Sequence, residues 1–225
     1  MRITSEIVQV GGAGFTSPED AAVYLICVKG CAAVVDAGCG RTTDKLVKNI
    51  HNAAIGAKRF EYLLMTHCHF DHTGGADALR RQLGLKIVAH EKDARFLETG
   101  DTTATGASWY GAVFDPFQVD MKLRQTREEL LLADRPLIAI HVPGHSPGSV
   151  VFLMESDGKK VLFGQDVHGP IHPDLHSDPI AYQAALKTML DLEADILCEG
   201  HFGIFRGRRR VREFIASMPG WTTAS

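Results

Sequence analysis

The chain has 225 residues, 45% of them hydrophobic and 23% charged, with a formal net charge of -3. That length can bury a sizeable core, as one large domain or two small ones. The mild negative charge argues against nucleic acid as a partner, and no run approaches the ~18 apolar residues needed to cross a bilayer. The opening "MRITSEIVQVGG" lacks the apolar stretch of a secretory leader. Five scattered cysteines (Cys27, Cys31, Cys39, Cys68, Cys198) do not form a disulfide framework. These features place the protein in the cytoplasm.

In chain order, "RITSEIVQV" reads as a strand. "AAVYLICV" and "CAAVVDAG" read as two strands joined by a turn at Lys29-Gly30. "TTDKLVKNIHNAAIG" has helical spacing, with Thr and Asp at its start and Gly56 at its end. "FEYLLMTH" is a short apolar strand, "GGADALRRQLG" a helix, "LKIVAH" a strand, and a helix follows from Glu91 to about Leu97. Thr99 to Phe117 shows no period but carries Trp109, Tyr110 and two phenylalanines. It reads as an irregular insertion or lid whose aromatics could contact substrate, pack in a core, or serve a dimer interface. "PLIAIHVPGH", "SVVFLME" and "KKVLFGQD" read as strands, "DPIAYQAALKTMLDLE" as an amphipathic helix with Pro179 in its first turn, "ADILCEGH" as a strand and "RRRVREFIAS" as a closing helix. Strands and helices alternate in both halves, which argues for a single α/β domain over 1–225 with covered sheets.

Chemistry concentrates at strand ends. Apolar runs finish near His67, His145, Asp166 and His201, each close to a Gly or Pro. Imidazole and carboxylate are the usual ligands of zinc and similar metals. In "HCHFDH", His67 and His69 are two apart and point the same way in extended backbone, while Asp71 and His72 follow as the chain turns. One metal could take His67, His69 and a third ligand, and another Asp71, His72 and a third, with an Asp between them. The same alternation turns Cys68 away from the metals.

"HCHFDH" (67–72), "PGHSPGS" around His145, "FGQD" ending at Asp166 and "EGH" ending at His201 together resemble the metallo-β-lactamase superfamily, in order and spacing. "VVDAG" (34–38) resembles that family's early strand and turn. The resemblance implies an αββα sandwich of two mixed β-sheets with flanking helices. It assigns His67, His69 and His145 to one metal and Asp71, His72 and His201 to another, with Asp166 bridging. It also implies a metal-bridging hydroxide acting on a small ester, lactone or thioester, with Asp71 and Asp166 orienting it and handling protons. Zinc is the default for the two divalent ions, and iron or manganese suit the same donors.

Departures from relatives narrow this reading. β-Lactamases of the family lack the bridging Asp, and only 24 residues follow His201, too few for the C-terminal domain with which glyoxalase II binds glutathione. A mononuclear iron persulfide dioxygenase, which shares "THCH", is the alternative. A metal-bearing sensor or binding module without turnover is a third reading. Gln165 stands where the family commonly has Gly before the bridging Asp. After it, His168, His172 and His176 lie in a loop, because Gly169, Pro170 and Pro173 forbid a regular helix. His168 is expected near the metals as a substrate contact or as a hydrogen-bonded loop residue. The basic run "FRGRRRVREF" reads as the solvated face of a terminal helix, with steering of an anionic substrate as the other reading.

Overall fold

Most strands of this chain are apolar on both faces, which requires a sheet covered on both sides. The computed structural model, which describes residues 1–164 and 166–218, shows how. Gln165 lies outside the described residues. Along Val150–Ser156, Val150, Phe152 and Met154 face one cluster while Val151 and Leu153 face another.

The first sheet contains β1 (Ile7–Gly11), β2 (Val23–Val28), β3 (Cys31–Val35), β4 (Arg59–Leu64), β5 (Lys86–His90) and β6 (Met121–Leu123), side by side in chain order. The first three are antiparallel, and β3 to β6 run parallel. The β2–β3 turn places Lys29 and Gly30 at φ 47° and 80°, left-handed values that match the twist of a tight hairpin. The second sheet holds β7 (Arg127–Leu132), β8 (Arg135–His141), β9 (Val150–Ser156), β10 (Lys159–Phe163), β11 (Ile196–Cys198) and β12 (Ile204–Arg206), again in chain order. Only β10 and β11 are parallel there.

The sheets face one another across a core in which Tyr24 of β2 meets Phe163 of β10, ring centroids 5.8 Å apart. Helices α1 (Thr43–Ala53), α3 (Ala76–Leu83) and α4 (Glu91–Thr99) cover the outer face of the first sheet. A single turn, α2 (Phe70–Thr73), precedes α3. Helices α5 (Pro179–Asp191) and α6 (Arg208–Ala216) cover the second. Each helix buries one stripe, Leu46 and Ile50 on α1 and Val211 and Ile215 on α6. Asp178 caps α5 by accepting from the N–H groups of Ile180 and Ala181, with Pro179 just inside. The architecture is the αββα sandwich of two mixed sheets.

Some elements escape the sequence reading. β7 is masked by three charges in its first three residues, β6 and β12 have three residues each, and α2 is one turn. The stretch from Thr99 to Phe117 contains a one-turn 3-10 helix, Ala107–Tyr110, and Ala104, Ala107, Phe114 and Phe117 are buried against the outer core of the first sheet. The arginines of the C-terminal run, Arg206, Arg208, Arg209, Arg210 and Arg212, are exposed.

Strand direction fixes where the site lies. β8 and β10 are both antiparallel to β9, and β11 is parallel to β10, so all three end on the same side. β4 joins that side, because Val150 N–H at the start of β9 donates to the Thr66 carbonyl.

Candidate metal centre

The loops leaving β4, β8, β10 and β11 bring seven side chains together. His67, His69 and His145 form one group. Asp71, His72, Asp166 and His201 form a second. Within each group the ligand atoms lie within 4.8 Å of one another. Asp166 stands between them: its carboxylate is 3.0 Å from His72 Nε2, 3.3 Å from His201 Nε2 and 3.8 Å from His145 Nε2. Asp71 Oδ2 lies 3.0 Å from His201 Nε2. All are buried except His201. Glycine is needed beside them, because a Cβ at Gly200 would sit 2.2 Å from Asp166 Oδ1. Cys68, fully buried, directs its thiol to the Ala104 carbonyl rather than to this centre.

Hydrogen bonds fix which nitrogen of three rings faces the centre. His145 Nδ1 is 2.9 Å from the Pro170 carbonyl, which can only accept. His72 Nδ1 donates to Asp36 Oδ2 at 2.7 Å. Thr66 gives its hydroxyl proton to Asp36 Oδ2, so its oxygen accepts from His67 Nδ1 at 3.0 Å. In the neutral ring, the form that can bind a metal, each Nε2 is therefore a lone pair turned inward. His67 Nε2 and His145 Nε2 face one another at 3.3 Å with no proton to share in neutral rings. His69 Nε2, His72 Nε2 and Asp166 Oδ1 are buried without a hydrogen-bond partner, despite the close approach of the last two. Converging lone pairs and orphaned polar atoms are costly unless a cation binds them, so the residues fit metal ions.

The two groups differ in their electrostatics. Burial, reinforced by neighbouring imidazoles, holds His67 and His69 well below the ordinary histidine range, and burial lowers His145. Burial also acts to lower His72, but Asp166, Asp71 and Asp36 outweigh it and raise that ring well above its ordinary value. At His201 burial is likewise outweighed, by hydrogen bonds to Asp166 and Asp71, and the ring rises to about 10. Burial would raise Asp166, yet His72 and His201 pull it well below the usual carboxylate range. The second group is thus a strongly negative place that favours a cation.

A cavity of about 210 Å³ opens on the centre, lined by the polar Asp71, Asp166 and His201 and by Trp109, Tyr110 and Leu175. His168 also lines it. Burial and the adjacent Asp71 carboxylate raise the Tyr110 phenol, so it stays protonated. His172 meets the Trp109 ring edge-on at 5.2 Å, while His176 stacks on Phe96.

Three buried carboxylates that sequence reasoning did not single out brace the ligand loops. Asp36 orients His72 and, through Thr66, His67. Asp93 accepts from Cys68 N–H and Ser146 Oγ–H through Oδ2 and from Gly148 N–H through Oδ1, tying the first histidine loop to the loop of His145. Glu199 accepts from Val167, His201 and Phe202 N–H groups. Asp36 lies within the quoted "VVDAG" and Glu199 within "EGH", but neither segment shows its partner.

Fold and donor set together define a metal-dependent hydrolase. The chain belongs to the metallo-beta-lactamase superfamily, whose family model matches residues 16–201. A probable metallo-hydrolase of Methanocaldococcus jannaschii is 29% identical over 67% of this chain and 68% of its own length. Hydroxyacylglutathione hydrolase of Haemophilus influenzae is 31% identical over 60% of each chain. An acyl-coenzyme A thioesterase of Homo sapiens is 29% identical over 69% of this chain. The match spans about three fifths of these last two relatives, 60% and 61% of their lengths. Among solved structures, a B3 metallo-beta-lactamase with an active-site glutamic acid has a TM-score of 0.79 at 21% identity. It covers 95% of this chain and 85% of its own, a likeness of fold. Among the described residues, no helix is long and apolar enough to cross a membrane.

Proposed function

We propose that the protein hydrolyses small thioesters, esters or lactones with a dinuclear centre. His67, His69 and His145 would hold one ion, Asp71, His72 and His201 the other, and Asp166 both. The single observation that carries this reading is the place of Asp166, within 3.8 Å of a nitrogen from the first group and 3.0 Å of one from the second. Zinc is the metal we assign, since mixed nitrogen and oxygen donors suit it, and iron or manganese fit the same set. Such ions would supply Lewis acidity toward a carbonyl and lower the pKa of water toward neutrality.

The chain's own residues do the rest. Asp71 and Asp166 face the cavity with carboxylate oxygens that can orient an attacking water and take its proton. Tyr110, protonated beside Asp71, would limit the motion of that carboxylate. Trp109, Tyr110 and Leu175 present apolar surface that would hold an acyl group and exclude bulk water, with His168 a polar group lining the same cavity. A thioesterase and a hydroxyacylglutathione hydrolase among the relatives support thioesters first. Five unpaired cysteines support a reducing, cytoplasmic setting.

The test is metal analysis of protein purified without added metal, paired with a screen of thioesters, lactones, p-nitrophenyl esters and bis-p-nitrophenyl phosphate. Two zinc ions per chain and thioester turnover are expected, with both lost on replacing His67 and Asp166 by Ala. One iron per chain with oxygen consumption would overturn the reading.

A further inference from the structure

We propose that Tyr182 is a positioning residue for the metal centre: its hydroxyl and its backbone hold the loop of His145 and the segment after Asp166 at one fixed separation. The inference rests on the dinuclear reading above and extends it to a residue that does not line the cavity.

Tyr182 lies in the first turn of α5 and is 3% exposed, in the apolar cluster with Val142, Val167 and Leu186. A phenylalanine would fill the same space with no polar atom to desolvate, so the buried hydroxyl is stable only with a partner. That partner is the Val167 carbonyl, one residue after Asp166, to which the phenol donates at 2.5 Å. Val167 N–H in turn donates to Glu199 at 3.1 Å. The chain leaving Asp166 is thus held from both sides.

The backbone of Tyr182 meets the other loop. Gly144 has φ 142°, and a Cβ there would sit 2.3 Å from both N and Cα of Tyr182. The entry to α5 adds two tethers. Asp178 N–H donates to the Gly144 carbonyl at 2.8 Å, and Ser177 Oγ–H to the His145 carbonyl at 2.7 Å. The circuit closes through a ligand, since His145 Nδ1 donates to the carbonyl of Pro170, three residues beyond Val167. One helix start therefore grips two loops that leave different strands, β8 and β10.

Those loops carry His145 of the first group and Asp166, whose 3.8 Å approach joins the two groups. A shift in the backbone of Asp166 displaces a ligand of both ions at once. Without the Tyr182 hydroxyl, the Val167 carbonyl loses its partner and the segment settles elsewhere. Ordering it again then falls to the incoming ion, which lowers affinity. Tyr182 acts through Asp166 and His145, not on substrate.

The experiment uses the full chain, zinc-loaded and after chelation. Tyr182→Phe and Gly144→Ala test the hydroxyl and the backbone contact. Met189→Ala truncates a buried side chain two turns further along α5 and reports general destabilisation. Deuterium uptake by mass spectrometry follows residues 142–148 and 166–178 in the chelated protein, and chelator competition measures zinc affinity. In Tyr182→Phe and Gly144→Ala we expect exchange of both segments to quicken together, about fivefold, and zinc to bind about tenfold more weakly. Met189→Ala should bind zinc within about twofold of wild type. Wild-type uptake or wild-type affinity in Tyr182→Phe, or an equal loss of affinity in Met189→Ala, overturns the proposal. Gly144→Ala is judged by the same outcomes if Tyr182→Phe does not fold. If the wild type binds fewer than two zinc ions, the dinuclear reading is what fails. Uptake in the chelated variants then decides this inference alone, and unchanged exchange in either segment overturns it.

Discussion

His72 Nδ1 donates to Asp36 Oδ2 at 2.7 Å, and Asp36 is in turn locked by the N–H and hydroxyl of Thr66. The carboxylate occupies a left-handed backbone position, φ 62°, at the end of β3. Removing it frees the ring to rotate and to place its proton on the nitrogen that would bind metal. Asp36→Ala is expected to weaken metal affinity roughly 10- to 100-fold, chiefly in the group with Asp71 and His201. Competition titration with a zinc chelator measures this, and wild-type affinity would show that the contact does not orient the ligand.

Gly200 sits where backbone passes the Asp166 carboxylate. A methyl group there would approach Oδ1 to 2.2 Å and His72 Cε1 to 3.1 Å. Gly200→Ala must push the carboxylate aside, with overpacking strain of about 1–3 kcal/mol. Loss of both activity and metal stoichiometry is expected at a temperature where circular dichroism still reports a folded chain. Full stoichiometry in that variant would mean Asp166 can move without consequence.

Asp93 is 1% exposed and burial raises its carboxyl, although Ser146, Gly148 and Cys68 all donate to it. Asp93→Ala leaves these donors unpaired between two ligand loops. The expected cost is about 2–4 kcal/mol in urea unfolding. A change below about 0.5 kcal/mol would show that water replaces the carboxylate freely.

His90 and His141 stack with centroids 3.8 Å apart, at the ends of β5 and β8. Burial, followed by His141, pushes His90 down to about 4, and burial lowers His141 as well. A base lowered in the fold binds fewer protons there than when unfolded. This contribution is therefore complete above the ordinary value near 6.5 and is lost as pH falls from there through about 4. The loss at His90 amounts to ~3 kcal/mol at one unit per 1.36 kcal/mol. His90→Phe keeps a flat ring without the titration. Its stability relative to wild type, followed by urea unfolding from pH 7.5 to 4.5, should improve as pH falls, and a pH-independent difference would contradict the assignment.

Much of the fold is legible because period and punctuation are local. The β2–β3 hairpin follows from two apolar runs around Lys29-Gly30, and α5 from Asp178-Pro179 ahead of an apolar stripe. β7 is not legible in the same way, since Arg127, Glu128 and Glu129 hide a strand held by pairing with β8 and by Leu130 and Leu132 in the core. Three-residue strands such as β6 and β12 are shorter than any period that could reveal them.

By itself, the sequence determined which residues are the candidate metal ligands, because "HCHFDH" and the strand ends at His145, Asp166 and His201 declare ligand chemistry through residue type and spacing. It also determined the alternation that keeps Cys68 out of the set. Only the tertiary structure decided how those ligands are aimed. Asp36 meets Thr66 and His72 from 30 and 36 residues away, Asp93 meets Ser146 across 53, and Glu199 meets His168 across 31. Ring tautomers, the place of Asp166 between two groups and the face His168 shows to the cavity depend on side chains brought together by sheet packing. No local period encodes contacts of that range.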